Sequence, residues 1–475
     1  MALVPTEKLT ILQPQVRLGD PHVSSDDKNS LSIIFSMYES LVSRDGRGGY
    51  CPALAESWML DSDACTWTFF LRSPVHFHDG SILVAEDVVA SLERVRDPSM
   101  EGELGTGGVY RSYLEGAVFE TLDRRSVRVV TARPTADLLD LIVKFPIVPA
   151  GALAGLPGKP VGSGPYRFVG ADKNLIVMSR WDRYWGGLPP AKEIHWQAEA
   201  DSGSRVESLL VGVADLVSDI GPKDARMIEC KATVFTSESS VCTAFMCNLQ
   251  SGACTDRRVR QALNYGLDVP ELVEGVMEGA ARPLNGPLTY LHFGCDPETP
   301  PYPYDPGKAE ALLAEAGYGE GLRLVLDVPT RLPDEAPDLA RHMAEQYGRI
   351  GISTGIREFT DRPGYANMVR AKEIDDACCF DSSPLSSYRV FREKFHSGAH
   401  GPWWLGYTNP EVDALIDEAA ATPDNVRRQQ VYRRIYRIIR DDAPWIFLYS
   451  PTYSWGVAPH LGGWSAGNDG LIRLV

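Results

Sequence analysis

The chain has 475 residues, 44% hydrophobic and 23% charged, the balance of a folded protein whose core needs no metal or disulfide staple. The 63 acids against 47 bases leave a net charge of −16, which argues against nucleic acid as a partner and disfavours an anionic membrane surface, since both demand clustered Lys and Arg. No run approaches the ~18 apolar residues of a membrane span.

The N-terminus, "MALVPTEKLTILQPQ", lacks a basic segment followed by an apolar one, so it reads as a cytosolic start or as one where a leader has been replaced. "KLTILQP" is predicted as a strand and "SLSIIFSMYESLV" as a helix. A β-rich section follows, and within it "WTFFLRSPVHFHDGSILVAEDVVASLERV" gathers His76, His78, Asp79, Glu86 and Asp87. These residue types suit a metal or acid/base site, but the local pattern reads as strand, turn and helix. "TWTFFLR" is aromatic and β-branched, Asp79-Gly80 is a turn dipeptide, and Val88, Val89, Leu92 and Val95 share a helical face. Glu86 and Asp87 then sit in the first helical turn, where carboxylates favour the dipole. His76 and His78 are expected on one strand face.

"GLPGKPVGSGPYRFV" reads as a loop re-entering a strand, followed by strands at "NLIVMSRW" and "EIHWQAE" and a helix at "RVESLLVGVADLV". Helices are predicted at "DRRVRQALNYGL", "DPGKAEALLAEAGY", "EAPDLARHMAEQYGRIG", "NPEVDALIDEAA" and "VRRQQVYRRIYRIIRDD", with a strand at "LRLVLDVP" and strand-like sequence at "PWIFLYSPTYSWGVAP". The mixture predicts an α/β class in more than one domain. Nine cysteines include no CxxC pair; Cys51 and Cys65 are candidates for a disulfide in an oxidising compartment, and Cys242 and Cys247 for buried thiols.

Catalytic motifs fail on inspection. Gly158-Lys159 is followed by Pro160 and not by Ser or Thr, "GSG" at 162–164 is not a nucleophile elbow, and HExxH is absent. His396 and His400 lie in a glycine-containing loop and make a weak metal pair, His396 being the better candidate. The unusual stretch is "CCFDSSPLSSYRVFREKFHSGAHGPWWLGY", which joins Asp381, Arg389 and Arg392 to Trp403, Trp404 and Tyr407, the combination a small-molecule site uses.

Taken together, "PALAESWMLDSDACTWTFFLRSPVHFHDGSILVAEDVVASLERV", "GSGPYRFV", "RWDRYWGG", "DRRVRQALNYGLD", "ARPLNGP", "YDPGKAEALLAEAGY" and "NPEVDALIDEAA" resemble the extracytoplasmic solute-binding proteins of ABC importers, in the family 5 cluster that takes oligopeptides, dipeptides, nickel complexes, glutathione and opines. The resemblance implies a two-lobed periplasmic-binding-protein clam (type II-like) with an additional domain. Residues 1–47, 156–245 and 449–475 would form lobe I, 48–155 the additional domain and 246–448 lobe II, with solute engulfed between the lobes. It implies a monomer, periplasmic or lipid-anchored outside the cell, that serves a membrane permease and needs no cofactor. Peptide-binding relatives carry an aspartate that meets the ligand's ammonium. Here "CCFDSSPLS" keeps it as Asp381 but has Cys for the family's Trp and Ser383 for its second Asp, which weakens the case for a general peptide ligand. The candidate ligand set is Asp381, Ser382, Arg389, Trp403, Trp404 and Tyr407, with His22 and Arg111 from earlier in the chain. Asp381 would hold an ammonium, Arg389 clamp a carboxylate and the tryptophans stack on the solute body. A small zwitterion such as a peptide, opine or amino-acid-like compound is the expected solute, with no catalysis. A nickel or metal-chelate ligand, to which His396 would be relevant, and a cytosolic ligand-sensing module are the alternatives.

Overall fold

In the computed structural model, which describes residues 6–23, 27–45, 49–100, 107–228, 231–461, 463–465, 467 and 469–474, the chain divides into two units, residues 1–237 with 453–475 and residues 238–452. In the first, strand Thr6–Gln13 runs parallel to Ala191–Ala198 on one side and to Leu216–Ser218 on the other. Antiparallel strands Leu175–Arg180 and Tyr166–Ala171 extend the sheet, and residues 455–457 of the last strand pair with 216–218. A central strand buries both faces, which accounts for the nearly unbroken apolar run "LTILQ"; Leu9, Ile11 and Leu12 are buried.

Helix Lys28–Met37 packs Ile33, Ile34 and Met37 against Ile11, Tyr166 and Trp196. It begins where Asp27 accepts the N–H groups of Asn29 and Ser30. It stops at Met37, short of the predicted "YESLV", because the Met37 carbonyl accepts the Gly164 N–H at 2.9 Å. A Cβ on Gly162 would lie 2.1 Å from the Met37 oxygen, and one on Gly164 2.7 Å from the Met37 carbonyl carbon. Gly162→Ala should therefore overpack this junction and lower stability by at least ~1–3 kcal/mol, read as a fall in urea midpoint at unchanged m-value.

The same junction is tied by the half-buried Glu39. Its carboxyl accepts hydrogen bonds from Ser163 Oγ at 2.9 Å, Tyr184 OH at 3.0 Å and Trp185 Nε1 at 2.8 Å. One side chain thus joins "MYES", "GSGPY" and "RYWGG". Burial pushes its pKa up to about 7 against those stabilising donors.

A separate antiparallel sheet in this unit orders Ala55–Leu60, Thr66–Leu71, Ser126–Val130 and Val118–Asp123, accompanied by helix Ala85–Arg94. The strand and helix expected around His76 are both present. The histidines themselves are not on a strand face. "HFHDGS" is a tight turn in which Phe77 N–H donates to Ser81 O and Gly80, at φ +89°, donates to Phe77 O. His78 donates through Nε2 to Gly164 O at 3.0 Å and accepts the Gly162 N–H on Nδ1 at 3.3 Å. His76 faces Arg183. Asp87 accepts the N–H groups of Val84 at 3.0 Å and Ala150 at 2.9 Å. Their contacts here are turn, cap and packing contacts.

In the second unit, strands Ile352–Phe359, Leu322–Pro329 and Ala377–Ser382 run parallel. Cys242–Cys247 and residues 445–449 follow antiparallel, and Ala281–Pro283 pairs with 449–451. Helices Arg257–Tyr265, Pro306–Glu315 and Ala336–Gly348 form where periodicity predicts them, as do Pro410–Ala420 and Asn425–Asp442. Leu263, Leu313, Leu326, Leu339, Met343 and Ile446 meet in the core. Among the described residues every cysteine is free, Cys51 and Cys65 included, so that disulfide is not formed; Cys230 lies outside the described residues. No helix among the described residues is long and apolar enough to cross a membrane.

Candidate binding site

The stretch 378–407 folds as the end of strand Ala377–Ser382, helix Ser387–Phe395 and a following loop. Asp381 pairs across the sheet with Thr243, which pairs in turn with Tyr449. Directly opposite residues share a face, so Asp381, Thr243 and Tyr449 form a row over three strands. Two helix starts bring further charge to it. Glu335 precedes helix Ala336–Gly348 at its N-cap position, without a side-chain capping bond, and accepts the Tyr449 hydroxyl at 3.0 Å. Arg362, the first residue of helix Arg362–Ala371, places Nη2 3.8 Å from Asp381 Oδ1. Burial, with the Asp381 charge adding to it, raises the Glu335 pKa.

Arg362 is held by one backbone acceptor and two aromatic rings. Its Nε donates to Leu332 O at 3.0 Å, and the rings of Tyr365 and Phe380 flank it at 5.6 and 5.3 Å. Phe380 in turn packs on Trp403 at 4.4 Å, and Arg370 lies over the Trp403 ring at 4.9 Å. Trp403 is therefore linked to Asp381 only in succession, through Phe380 and then Arg362.

The other candidates go elsewhere. Ser382 follows Asp381 along the strand, so alternation turns it to the opposite face. Arg389 is 7% exposed, and its Nε donates to Glu393 at 3.0 Å, one helical turn on; that geometry commits it to its own helix rather than to a bidentate clamp. Trp404 donates its Nε1 to Tyr407 O at 2.6 Å and stacks on His400 at 4.8 Å. Tyr407 is buried with its hydroxyl on Asp442 at 2.6 Å, beside a hollow of about 500 Å³ lined by Arg257, Asn409, Arg437 and Arg440.

In the first unit, His22 is fully buried. Its Nε2 donates to Pro146 O at 2.8 Å, its Nδ1 accepts from Arg94 at 3.1 Å, and its ring stacks on Phe145 at 4.8 Å. Burial lowers its pKa to about 4. Both ring nitrogens are occupied within the fold. Arg111 donates to Pro98 O at 3.1 Å. His396 lies near Asp413 at 3.8 Å and Asp417 at 3.3 Å, and among the described residues no group of three or more His, Cys, Asp or Glu is placed to hold a metal ion.

Glu335, Arg362, Thr243 and Tyr449, which the fold brings to the Asp381 row, carry no motif in the sequence. One signal was available for Arg362. A cation at the first helical position opposes the helix dipole, so an arginine directly after the capping Asp361 needs a partner from elsewhere.

Comparison with known proteins agrees with this architecture. Residues 49–378 match the family described as bacterial extracellular solute-binding proteins, family 5. The glutathione-binding protein GsiB of Pectobacterium atrosepticum is 28% identical over 460 residues, covering 90% of this chain and 85% of its own. Heme-binding protein A of Haemophilus influenzae is 28% identical over 448 residues, covering 86% and 80%. The structure of HbpA2 from Haemophilus parasuis superposes with a TM-score of 0.85 at 21% identity, covering 98% of both chains. The fold is that of the α/β periplasmic binding proteins, and the chain belongs to the bacterial extracellular solute-binding proteins of family 5.

Proposed function

We propose that this chain captures a small zwitterionic solute outside the cytoplasmic membrane, as a monomer, and presents it to the permease of an ABC importer. Family 5 proteins bind small solutes and work with such permeases. The observation carrying the reading is the Asp381–Arg362 pair, 3.8 Å apart, with Glu335 beside it: opposite charges within a few ångströms are what a zwitterion requires. Trp403, half-buried next to Phe380, is the surface on which the solute body stacks. The domain limits proposed from the resemblance remain part of this reading; the self-contained antiparallel sheet between residues 55 and 130 supports an additional domain within 48–155.

Calorimetric titration of the full chain against dipeptides, glutathione and opines, with and without a chelator, tests it. One-to-one binding of a zwitterion, unaffected by chelator, is expected. Absence of binding across the panel, or binding abolished by chelator, overturns it, the latter in favour of a metal chelate.

A further inference from the structure

The charged row in the second unit carries more acceptor and donor capacity than a lone ammonium would use. Arg362 has five N–H donors. Nε is used on Leu332 and Nη2 lies near Asp381, yet Nη1 is buried and has no hydrogen-bond partner among the described residues. Thr243, 1% exposed and on the same sheet face as Asp381, also has an unpartnered buried hydroxyl. Buried donors without acceptors are rare enough that each calls for a physical reason. Two such groups around one pair of carboxylates mark a place where an acceptor belongs.

Consider which solute group completes it. An isolated ammonium would share Asp381 with a guanidinium already beside it and leave Nη1 unanswered. An isolated carboxylate would satisfy Arg362 but face both Asp381 and Glu335. A group with both charges on one carbon answers all three residues. We propose that Arg362, Asp381 and Glu335 together receive a single α-amino-acid head group, its carboxylate on Arg362 and its ammonium on the two acids. This rests on the solute-binding reading and narrows it: the class is solutes with a free α-amino-acid head, such as γ-linked glutamyl peptides and amino-acid conjugates. Ordinary α-linked peptides, whose first residue has spent its carboxylate in the peptide bond, fall outside it.

The two isomers of one tripeptide separate these cases. Reduced glutathione keeps the complete head on its γ-linked glutamate, whereas α-linked Glu-Cys-Gly presents the same ammonium beside a neutral amide oxygen. Charge-assisted hydrogen bonds are roughly twice as strong as neutral ones, so the wild-type chain should bind glutathione at least ~10-fold more tightly, a difference of about 1.4 kcal/mol. Arg362→Gln should bring that ratio close to one, while Glu335→Gln weakens both ligands. Because the readout is a ratio on the same variant, general damage to the fold cancels. Equal binding of the isomers by wild type, or a ratio that survives Arg362→Gln, overturns the head-group assignment and leaves solute capture standing. Failure of wild type to bind either isomer also overturns it, and solute capture is then decided by the panel titration.

Discussion

Acidification from pH 6.5 to pH 4 should cost the protein several kcal/mol of stability. His22 is buried and His78 half-buried in the first unit, and desolvation lowers each pKa from 6.5 to about 4. Above pH 6.5 both are neutral in folded and unfolded chains alike, so their contribution is fully present. As pH falls through this window the unfolded chain binds protons that the folded chain refuses, and stability drops by about 3 kcal/mol for each histidine. Glu39 acts in the opposite direction. Its raised pKa of about 7 means that its contribution is complete below pH 4.5 and is lost as pH rises toward 7, again by about 3 kcal/mol. Between pH 4 and 6.5 the two histidines outweigh Glu39, so these three groups together contribute a slope that is positive with pH. Urea unfolding at half-unit pH steps reads that slope. His78→Gln should reduce it by about one proton's worth and Glu39→Gln should steepen it; a flat wild-type profile would mean that these rings are protonated inside the fold.

Asp381→Asn should weaken solute binding by roughly two to three decades. Removing one member of a desolvated charge pair typically costs ~3–5 kcal/mol, which is that range in affinity. The unliganded fold should lose far less, because the Asp381–Arg362 contact is long at 3.8 Å and Asp381 is part-exposed. His396→Ala should leave affinity nearly unchanged, since His396 lies against Asp413 and Asp417, away from the Asp381 row in sequence and in hydrogen bonding. Calorimetry on the three proteins checks the order; a larger loss from His396→Ala than from Asp381→Asn would move the anchor to the histidine.

Amphipathic helices were the most legible part of the fold. Helix Arg257–Tyr265 follows a capping aspartate and buries Val259, Ala262 and Leu263 at helical spacing, so periodicity alone finds it. Strands Cys242–Cys247 and Ala377–Ser382 were hard for the opposite reason. They lie inside the sheet with almost every residue buried, so no alternation marks them. Helix Arg362–Ala371 opens "RPGY", where Pro and Gly mask the helical pattern and only the capping Asp361 marks its start. The site divided along the same line. Asp381 could be singled out as a candidate because it sits in a recognisable segment. Arg362 and Glu335 could not, because each is an ordinary charged residue at a helix start and acquires meaning only from strand pairing that brings Asp381 to it. Arg389 and Tyr407 looked like ligand residues because charge and aromaticity cluster in their segment, but burial turns both toward partners within the fold.

The central claim is that this chain holds a small zwitterionic solute through Asp381. Native mass spectrometry of wild type and Asp381→Asn, purified without denaturation, measures it most directly. Wild type should carry a discrete added mass that dissociates as a small organic zwitterion, and Asp381→Asn should fly without it. A retained mass that contains a metal, or one that Asp381→Asn keeps undiminished, would contradict the account.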